Sequence, residues 1–114
     1  MTTLRGKDVE AAIPADVRIV GIRWLNDAED VAIDLEFPGD SMRRLTGTLL
    51  CAWAHDLRID MNLEGRLGTV PAWEHAVSKI DEGWRVVFDI QPGLVSLRCN
   101  EVTLSIAAPG PLVG

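Results

Sequence analysis

Cys51 and His55 are the residues whose types and spacing come nearest to a catalytic pair, because they lie four positions apart. A cysteine becomes a nucleophile when an imidazole takes its proton and a third group orients that imidazole. If one strand ran through both residues, their side chains would share a face. Free cysteine is, however, among the most buried residue types. We therefore predict no catalytic residues, and keep an enzyme that uses Cys51 with His55 or His75 as the alternative.

A metal site and a disulfide are the other chemistries open to the cysteines. Structural zinc sites usually take their ligands in close pairs such as Cys-x2-Cys, whereas His75 and Cys99 lie far along the chain from Cys51 and His55. Cys51 and Cys99 could form a disulfide if their strands are neighbours, but it would not persist in a reducing compartment. We predict no metal, no cofactor and two reduced thiols in the core.

Carboxylates are abundant, but their pattern does not suit acid–base catalysis. A general acid needs partial burial to raise its pKa, whereas alternation places these acids on the solvent side of their strands. Exposed strand acids more often form cross-strand pairs with arginine. As a functional hypothesis, four of them form acidic docking ladders for a protein partner: Asp34, Glu36, Asp60 and Glu64.

Four tryptophans carry most of the aromatic area of the chain. Trp24 and Trp84 follow the buried period of their strands, so we predict both in the core. Trp53 falls at an expected kink, and Trp73 follows Pro71 at the start of an expected helix. We expect Trp53 and Trp73 to close the ends of the core. Because tryptophan is enriched at binding hot spots, the alternative is that both are exposed anchors for a partner.

The charge balance narrows the classes of partner. Seventeen acidic and eleven basic residues give a net charge of −6, which disfavours nucleic acid and anionic membrane because both require Lys and Arg to neutralise phosphate. An acidic surface instead suits a basic protein partner. The chain shows no signal-peptide pattern near Met1 and no apolar run of membrane-spanning length, so we expect a cytoplasmic protein.

The elements that must position these residues are mostly strands. Period-two alternation over 4–8 residues indicates strands with one buried face, and short connections make them antiparallel. The sequence predicts a mainly β fold, an antiparallel sheet or sandwich of six to seven strands with one short helix near 71–80. The predicted strands are 17–25, 30–37, 43–51, 56–64, 84–90, 94–99 and 101–107.

The domain organisation follows from the same pattern. Residues 17–107 form a single β-rich domain, residues 1–16 a partly ordered segment with a short helical turn over 8–13, and residues 108–114 an extended tail. A turn is expected over 52–56 and a bulge or turn at Asn100. The predicted core contains Ile33, Leu35, Leu45, Ile59, Met61, Val86, Phe88 and Leu104.

The clearest strand, 30–37, also predicts a register. A five-residue loop over 38–42 would place Leu35 opposite Leu45 and Glu36 opposite Arg44. A slip by one residue would set carboxylates against leucines, so the alternation disfavours that slip.

Three segments carry a family resemblance: Asp-Val-Ala-Ile-Asp-Leu-Glu-Phe over 30–37, Pro-Ala-Trp over 71–73, and Gly-Trp-Arg-Val-Val-Phe-Asp over 83–89 followed by 94–106. In this order of elements, the chain resembles small β-rich immunity proteins of bacterial polymorphic-toxin systems over 16–107. The resemblance implies a non-enzymatic inhibitor that binds a secreted toxin and occludes its site. It assigns no contact residue. A structural or ligand-carrying β domain that assembles through an uncovered sheet edge is a further alternative.

Overall fold

The computed structural model describes residues 2–14, 17–27, 29–37, 45–61, 70–72, 74–90 and 93–107, without the side chains of Met61, Val70 and Pro71. These residues form two antiparallel sheets and one short helix. In chain order the elements are β1 (Thr2–Arg5), α1 (Lys7–Ala12), β2 (Arg18–Leu25), β3 (Asp30–Phe37), β4 (Leu45–Ala52), β5 (His55–Met61), β6 (Val70–Pro71), β7 (Glu74–Ile80), β8 (Gly83–Asp89), β9 (Gly93–Cys99) and β10 (Glu101–Ala107).

The two sheets are joined at one end of the molecule by two chain crossings. The large sheet has the order β1-β10-β4-β3-β2-β6, in which β6 is only two residues long, and the small sheet has the order β5-β9-β8-β7. β4 crosses to β5 through Trp53 and Ala54, and β9 crosses back to β10 through Asn100. The Asn100 N–H donates a 2.9 Å hydrogen bond to the Ala52 carbonyl, so the two crossings meet.

One apolar core lies between the sheets. Alternate residues of the inner strands supply it, as the period of two requires. Helix α1 contacts edge strand β1 of the large sheet and edge strand β7 of the small one, and its Val9 is fully buried. The largest fully buried side chains are Phe88, Ile33, Leu35, Leu49, Ile90, Leu97 and Leu104.

The mainly β, antiparallel fold predicted from the sequence is confirmed. Each of the seven predicted strands is present within the described residues, as are the turn after β4 and the bend at Asn100. The helical turn expected over 8–13 is α1. β1 pairs with β10 and Val9 enters the common core, so the first residues are part of the large sheet. Strands β1, β6 and β7 were not predicted.

The helix predicted near 71–80 was wrong. Residues 74–80 form β7, which pairs with β8 through the two-residue turn Asp81–Glu82. The apolar residues Val77 and Ile80 fit a helical spacing, but hairpin pairing satisfies the backbone, and tertiary context overrides so short a pattern. Pro71 lies in the edge strand β6, where it needs to donate no ladder hydrogen bond.

The predicted register between β3 and β4 was wrong by two residues. Leu35 lies opposite Gly47, and Glu36 lies opposite Thr46. A shift of two leaves every side chain on its predicted face, so alternation does not distinguish the two registers. Arg44, the predicted partner of Glu36, is outside the described residues.

Three residues predicted in the core are exposed. Leu45 is 37% exposed at the first position of β4, Ile59 is 47% exposed on edge strand β5, and Trp24 is 50% exposed on β2, beyond the two residues that β6 covers. Strand ends and edges have no neighbour to cover an inward side chain. A bulge between Ile19 and Gly21 also breaks the predicted alternation of β2. The Trp84 side chain, also predicted in the core, is partly buried and packs against it. The predicted core residues Ile33, Leu35, Val86, Phe88 and Leu104 are buried, and the Met61 side chain is not described.

Candidate functional site

Three turns meet where the chain crosses between the sheets. We call this region the Trp53 end and define it as residues 26, 27, 29, 30, 53–56 and 80–82 together with Arg98. The Ala54 N–H donates a 2.8 Å hydrogen bond to the Glu29 carbonyl, which joins the first two turns. His55 lines a cavity with the 80–82 turn and Arg98, which joins the third. The region is therefore continuous although its residues are far apart in the sequence.

Trp53 is exposed at the apex of this end and is held in an unfavourable backbone conformation. Its side chain is 58% exposed and its φ angle is +55°, a region that bulky side chains seldom adopt. Its N–H donates a 3.0 Å hydrogen bond to Oδ1 of Asp30. Nδ1 of His55 lies 3.2 Å from the Trp53 carbonyl oxygen, to which it donates in the tautomer protonated there. Both backbone groups of Trp53 are thus held in place.

Positive φ angles outside glycine are concentrated at the Trp53 end. In the described part of the chain, the non-glycine residues with positive φ are Asn26, Asp27, Trp53 and Asp56, and all four belong to this end. Asn and Asp adopt this conformation readily in turns, whereas a residue as bulky as Trp53 keeps it only where surrounding contacts enforce it, and such residues cluster at functional sites. The conformation of Trp53 therefore marks its turn as a candidate site.

The same end contains a charged cavity of about 350 Å³. Its lining includes His55, Asp81, Glu82 and Arg98, and Nε of Arg98 lies 3.8 Å from Oδ2 of Asp56. Within the Trp53 end as defined, Arg98 is the one Lys or Arg residue, against six carboxylates: Asp27, Glu29, Asp30, Asp56, Asp81 and Glu82. The cavity lining itself has two carboxylates, those of Asp81 and Glu82, against Arg98. This small surplus of negative charge suits the guanidinium or ammonium group of a basic side chain.

The predicted acid Asp34 is paired within the large sheet. Its two carboxylate oxygens accept hydrogen bonds from Nε and Nη2 of Arg23 at 2.8 and 2.9 Å, and Thr48 donates a third from Oγ1 at 3.2 Å. The hydrogen bond and the charge of Asp34 raise the pKa of Arg23. Much of the negative charge of Asp34 is therefore compensated before any partner arrives.

The predicted acidic residues do not form one surface. Glu36 lies on β3 opposite Arg18 and Thr46 in the large sheet. Asp60 is exposed on β5, at the edge of the small sheet. Glu64 and Trp73 fall outside the described residues. Of the hypothetical binding residues, Trp53 alone belongs to the Trp53 end.

The structure does not assemble a cysteine–histidine pair. Cys51 and Cys99 are both fully buried in the core. His55 contacts the Trp53 carbonyl, and Nε2 of His75 lies 3.1 Å from the carbonyl oxygen of Glu10. Among the described residues, no three His, Cys, Asp or Glu side chains are grouped to hold a metal ion.

The sequence predicted the turns of this site, but it did not predict that they lie close together in the fold. Asn26–Glu29 and Asp81–Gly83 are polar turn sequences, and polar turns are ordinary. Their relevance arises from the crossings between the sheets, which bring both turns to Trp53. In the described part of the chain no helix is long and apolar enough to span a membrane. Comparison of the chain with family models, curated proteins and solved structures finds no match.

Proposed function

We propose that the protein is a non-enzymatic protein-binding module that docks its Trp53 end onto a basic protein surface. The observation that carries this proposal is the exposed Trp53 side chain, whose backbone groups are held by Asp30 and His55. Tryptophan is enriched among interface residues whose truncation costs 2 kcal/mol or more. A residue already fixed in its bound conformation loses little entropy on association.

Charge determines the kind of partner. The turns of the Trp53 end carry six carboxylates against Arg98, and the whole chain has a net charge of −6. Complementary charge accelerates encounter more than it slows release. The cavity lined by Asp81 and Glu82 would receive an Arg or Lys side chain of the partner while Trp53 enters an apolar pocket. The partner is therefore a protein whose basic surface surrounds such a pocket.

The resemblance to bacterial immunity proteins supports a more specific role. On that basis the partner is a basic toxin, and the module inhibits it by covering its site. We also propose that this happens in the cytoplasm, where free thiols such as those of Cys51 and Cys99 persist. An inhibitor of this kind needs shape and charge at its contact surface and no reactive side chain of its own.

The alternatives make different demands on the molecule. An enzyme using Cys51 would need its sulfur to reach a cleft, but the sulfur is buried against Cys99. A structural domain would assemble through an uncovered edge such as β5, where Ile59 is exposed. Assembly through β5 would give a mass that rises with concentration and falls on Ile59→Lys substitution. If the protein binds its partner through the Trp53 end, Ile59→Lys should leave the binding affinity unchanged.

The test is a kinetic comparison of matched variants against a partner captured from the native host and purified. Trp53→Ala should weaken binding by about 30-fold, mainly through faster release, because a hot-spot truncation of 2 kcal/mol has that effect. Asp81→Asn with Glu82→Gln should lower the association rate and flatten its dependence on salt. The control is Asp34→Asn with Asp60→Asn, which removes two charges elsewhere. Unchanged affinity of Trp53→Ala refutes the proposal, and a slower control variant would direct attention to the acidic ladders instead.

A further inference from the structure

Cys51 and Cys99 occupy equivalent places beside two of the crossings between the sheets, from β4 to β5 and from β9 to β10. Cys51 lies two residues before Trp53, where β4 leaves the large sheet, and Cys99 is the last residue of β9 before Asn100. Both side chains are fully buried in the one core. The residues that follow them, Ala52 and Asn100, are joined by a backbone hydrogen bond of 2.9 Å. The fold therefore brings the two cysteines together from opposite sheets.

The two cysteines are not bonded covalently, since both are free. Cys51 lies opposite Val102 in the pairing of β4 with β10, and Cys99 lies three positions before Val102. A disulfide joins cysteines whose Cα atoms lie about 4.4–6.8 Å apart. The backbone hydrogen bond between Asn100 and Ala52, together with burial of both side chains in one core, brings the two cysteines near each other at this corner.

We propose that Cys51 and Cys99 form a reversible disulfide that joins the two sheets behind the Trp53 end, with a small-molecule disulfide such as oxidised glutathione as the oxidant. One cysteine thiolate attacks a glutathione sulfur, breaks the glutathione S–S bond and releases one glutathione thiolate, which is protonated. The second cysteine thiolate attacks the protein sulfur of the mixed disulfide and releases the other glutathione. Two protein thiols lose two electrons and two protons, and two molecules of reduced glutathione form.

Both thiols are fully buried, and the interaction with Cys99 together with burial raises the pKa of the Cys51 thiol. Exchange requires a thiolate, so the closed corner holds the pair in its unreactive form. Burial keeps oxidised glutathione away from the closed corner, so exchange in the folded protein waits for local opening. During folding, before the corner closes, the pair reacts without that delay.

The bridge would affect the unfolded state strongly. It closes the chain between residues 51 and 99, which includes β5 to β9 and therefore the whole small sheet. Closing a loop of this length restricts the unfolded chain, and a disulfide without strain typically stabilises by an amount that raises the melting temperature by about 10 °C in a domain of this size. The inference stands on the cysteine pair alone and does not depend on the proposed binding function.

The test is refolding of the full chain in glutathione buffers. Reduced, denatured protein is diluted into mixtures of reduced and oxidised glutathione, free thiols are alkylated, and intact mass and peptide mapping identify the bridge. We expect one intramolecular 51–99 disulfide, a melting temperature about 10 °C above that of the reduced protein, and reversal of both by dithiothreitol. Cys51→Ala and Cys99→Ala should show no such rise.

Three results would overturn the proposal. They are two free thiols in refolded protein under excess oxidised glutathione, cross-linked dimers in place of the internal bridge, or a bridge that lowers the melting temperature. If either alanine variant fails to fold, the comparison of oxidised and reduced wild-type protein still decides between these results.

Discussion

The Asp30 carboxylate accepts the backbone N–H of Trp53 at 3.0 Å across 23 positions of sequence. This bond ties the start of β3 to the turn that leaves β4 and holds Trp53 at a φ of +55°. Left-handed backbone costs roughly 1–2 kcal/mol for a residue with a side chain. The structure thus holds an exposed indole in a conformation that the residue alone would avoid.

The cost of that conformation is measurable with two substitutions that both remove the indole. Trp53→Gly removes the Cβ atom responsible for the clash, whereas Trp53→Ala retains it. We expect Trp53→Gly to be more stable than Trp53→Ala by about 0.5–1 kcal/mol, because relief of strain outweighs the greater freedom of glycine when unfolded. Urea denaturation of both variants measures the difference. A less stable glycine variant would show that the left-handed conformation carries no strain.

The hydrogen bonds of Asp30 give a second prediction. Oδ1 accepts the Trp53 N–H, and Oδ2 accepts a hydrogen bond from Nδ2 of Asn26. Asp30→Ala removes both, and we expect it to cost about 1–2 kcal/mol and to speed amide exchange at Trp53. Glu29→Ala is the matched control, since Glu29 acts at this turn through its backbone carbonyl. Hydrogen exchange that is equally fast in both variants would contradict the role of the Asp30 carboxylate.

Alternation predicted the strands well because it reports burial on each face directly. In β3, Val31, Ile33 and Leu35 are buried as their spacing requires. The same signal is unchanged by a shift of two, which is why the pairing of Leu35 with Gly47 was missed. Alternation also does not distinguish an inner strand from an edge strand, which is why Ile59 was predicted in the core.

The candidate site was largely beyond prediction from sequence. The sequence did predict that Trp53 lies at a kink, and it left open that the side chain is exposed, because residue type and turn position can be read from the local sequence. Asp30 accepts the Trp53 N–H, and Asp81 and Arg98 line a cavity with the nearby His55, because of how β4, β7 and β9 are arranged in two sheets. No local pattern encodes that arrangement.

Two residues of the small sheet allow the stability cost of truncating a core side chain to be compared with that of truncating an edge side chain. Phe88 in β8 is fully buried, whereas Ile59 in β5 is about half exposed. Phe88→Ala should cost roughly 3–5 kcal/mol, because its cavity is enclosed and collapses poorly. Ile59→Ala should lower the free energy of unfolding by under about 1 kcal/mol, since folding removes only part of the Ile59 side chain from water. Comparable losses in chemical denaturation would mean that Ile59 is covered in solution.

Gly47 lies in the middle of β4 beneath the ring of Phe37. A Cβ atom at Gly47 would lie 2.7 Å from Cε2 and 2.9 Å from Cζ of Phe37, which is itself buried. Overpacking of a well-filled core typically costs 1–3 kcal/mol. We therefore expect Gly47→Ala to lower the free energy of unfolding by roughly that amount, although alanine would ordinarily stabilise a strand relative to glycine.

A second substitution separates this clash from a backbone effect. Phe37→Leu removes the ring atoms nearest the new methyl group, so Gly47→Ala should cost much less in that background than in the wild-type protein. Because the two residues are in contact, we expect a coupling energy of about 1 kcal/mol or more from the four proteins of the cycle. Gly47→Ser introduces a larger side chain than Gly47→Ala. It should therefore lower the free energy of unfolding more when Phe37 is present, and Phe37→Leu should restore less of that loss. If Gly47→Ala is equally destabilising in both backgrounds, its cost arises from the backbone of β4 or from the Ser105 carbonyl oxygen, 3.3 Å from the new Cβ atom, and not from contact with Phe37.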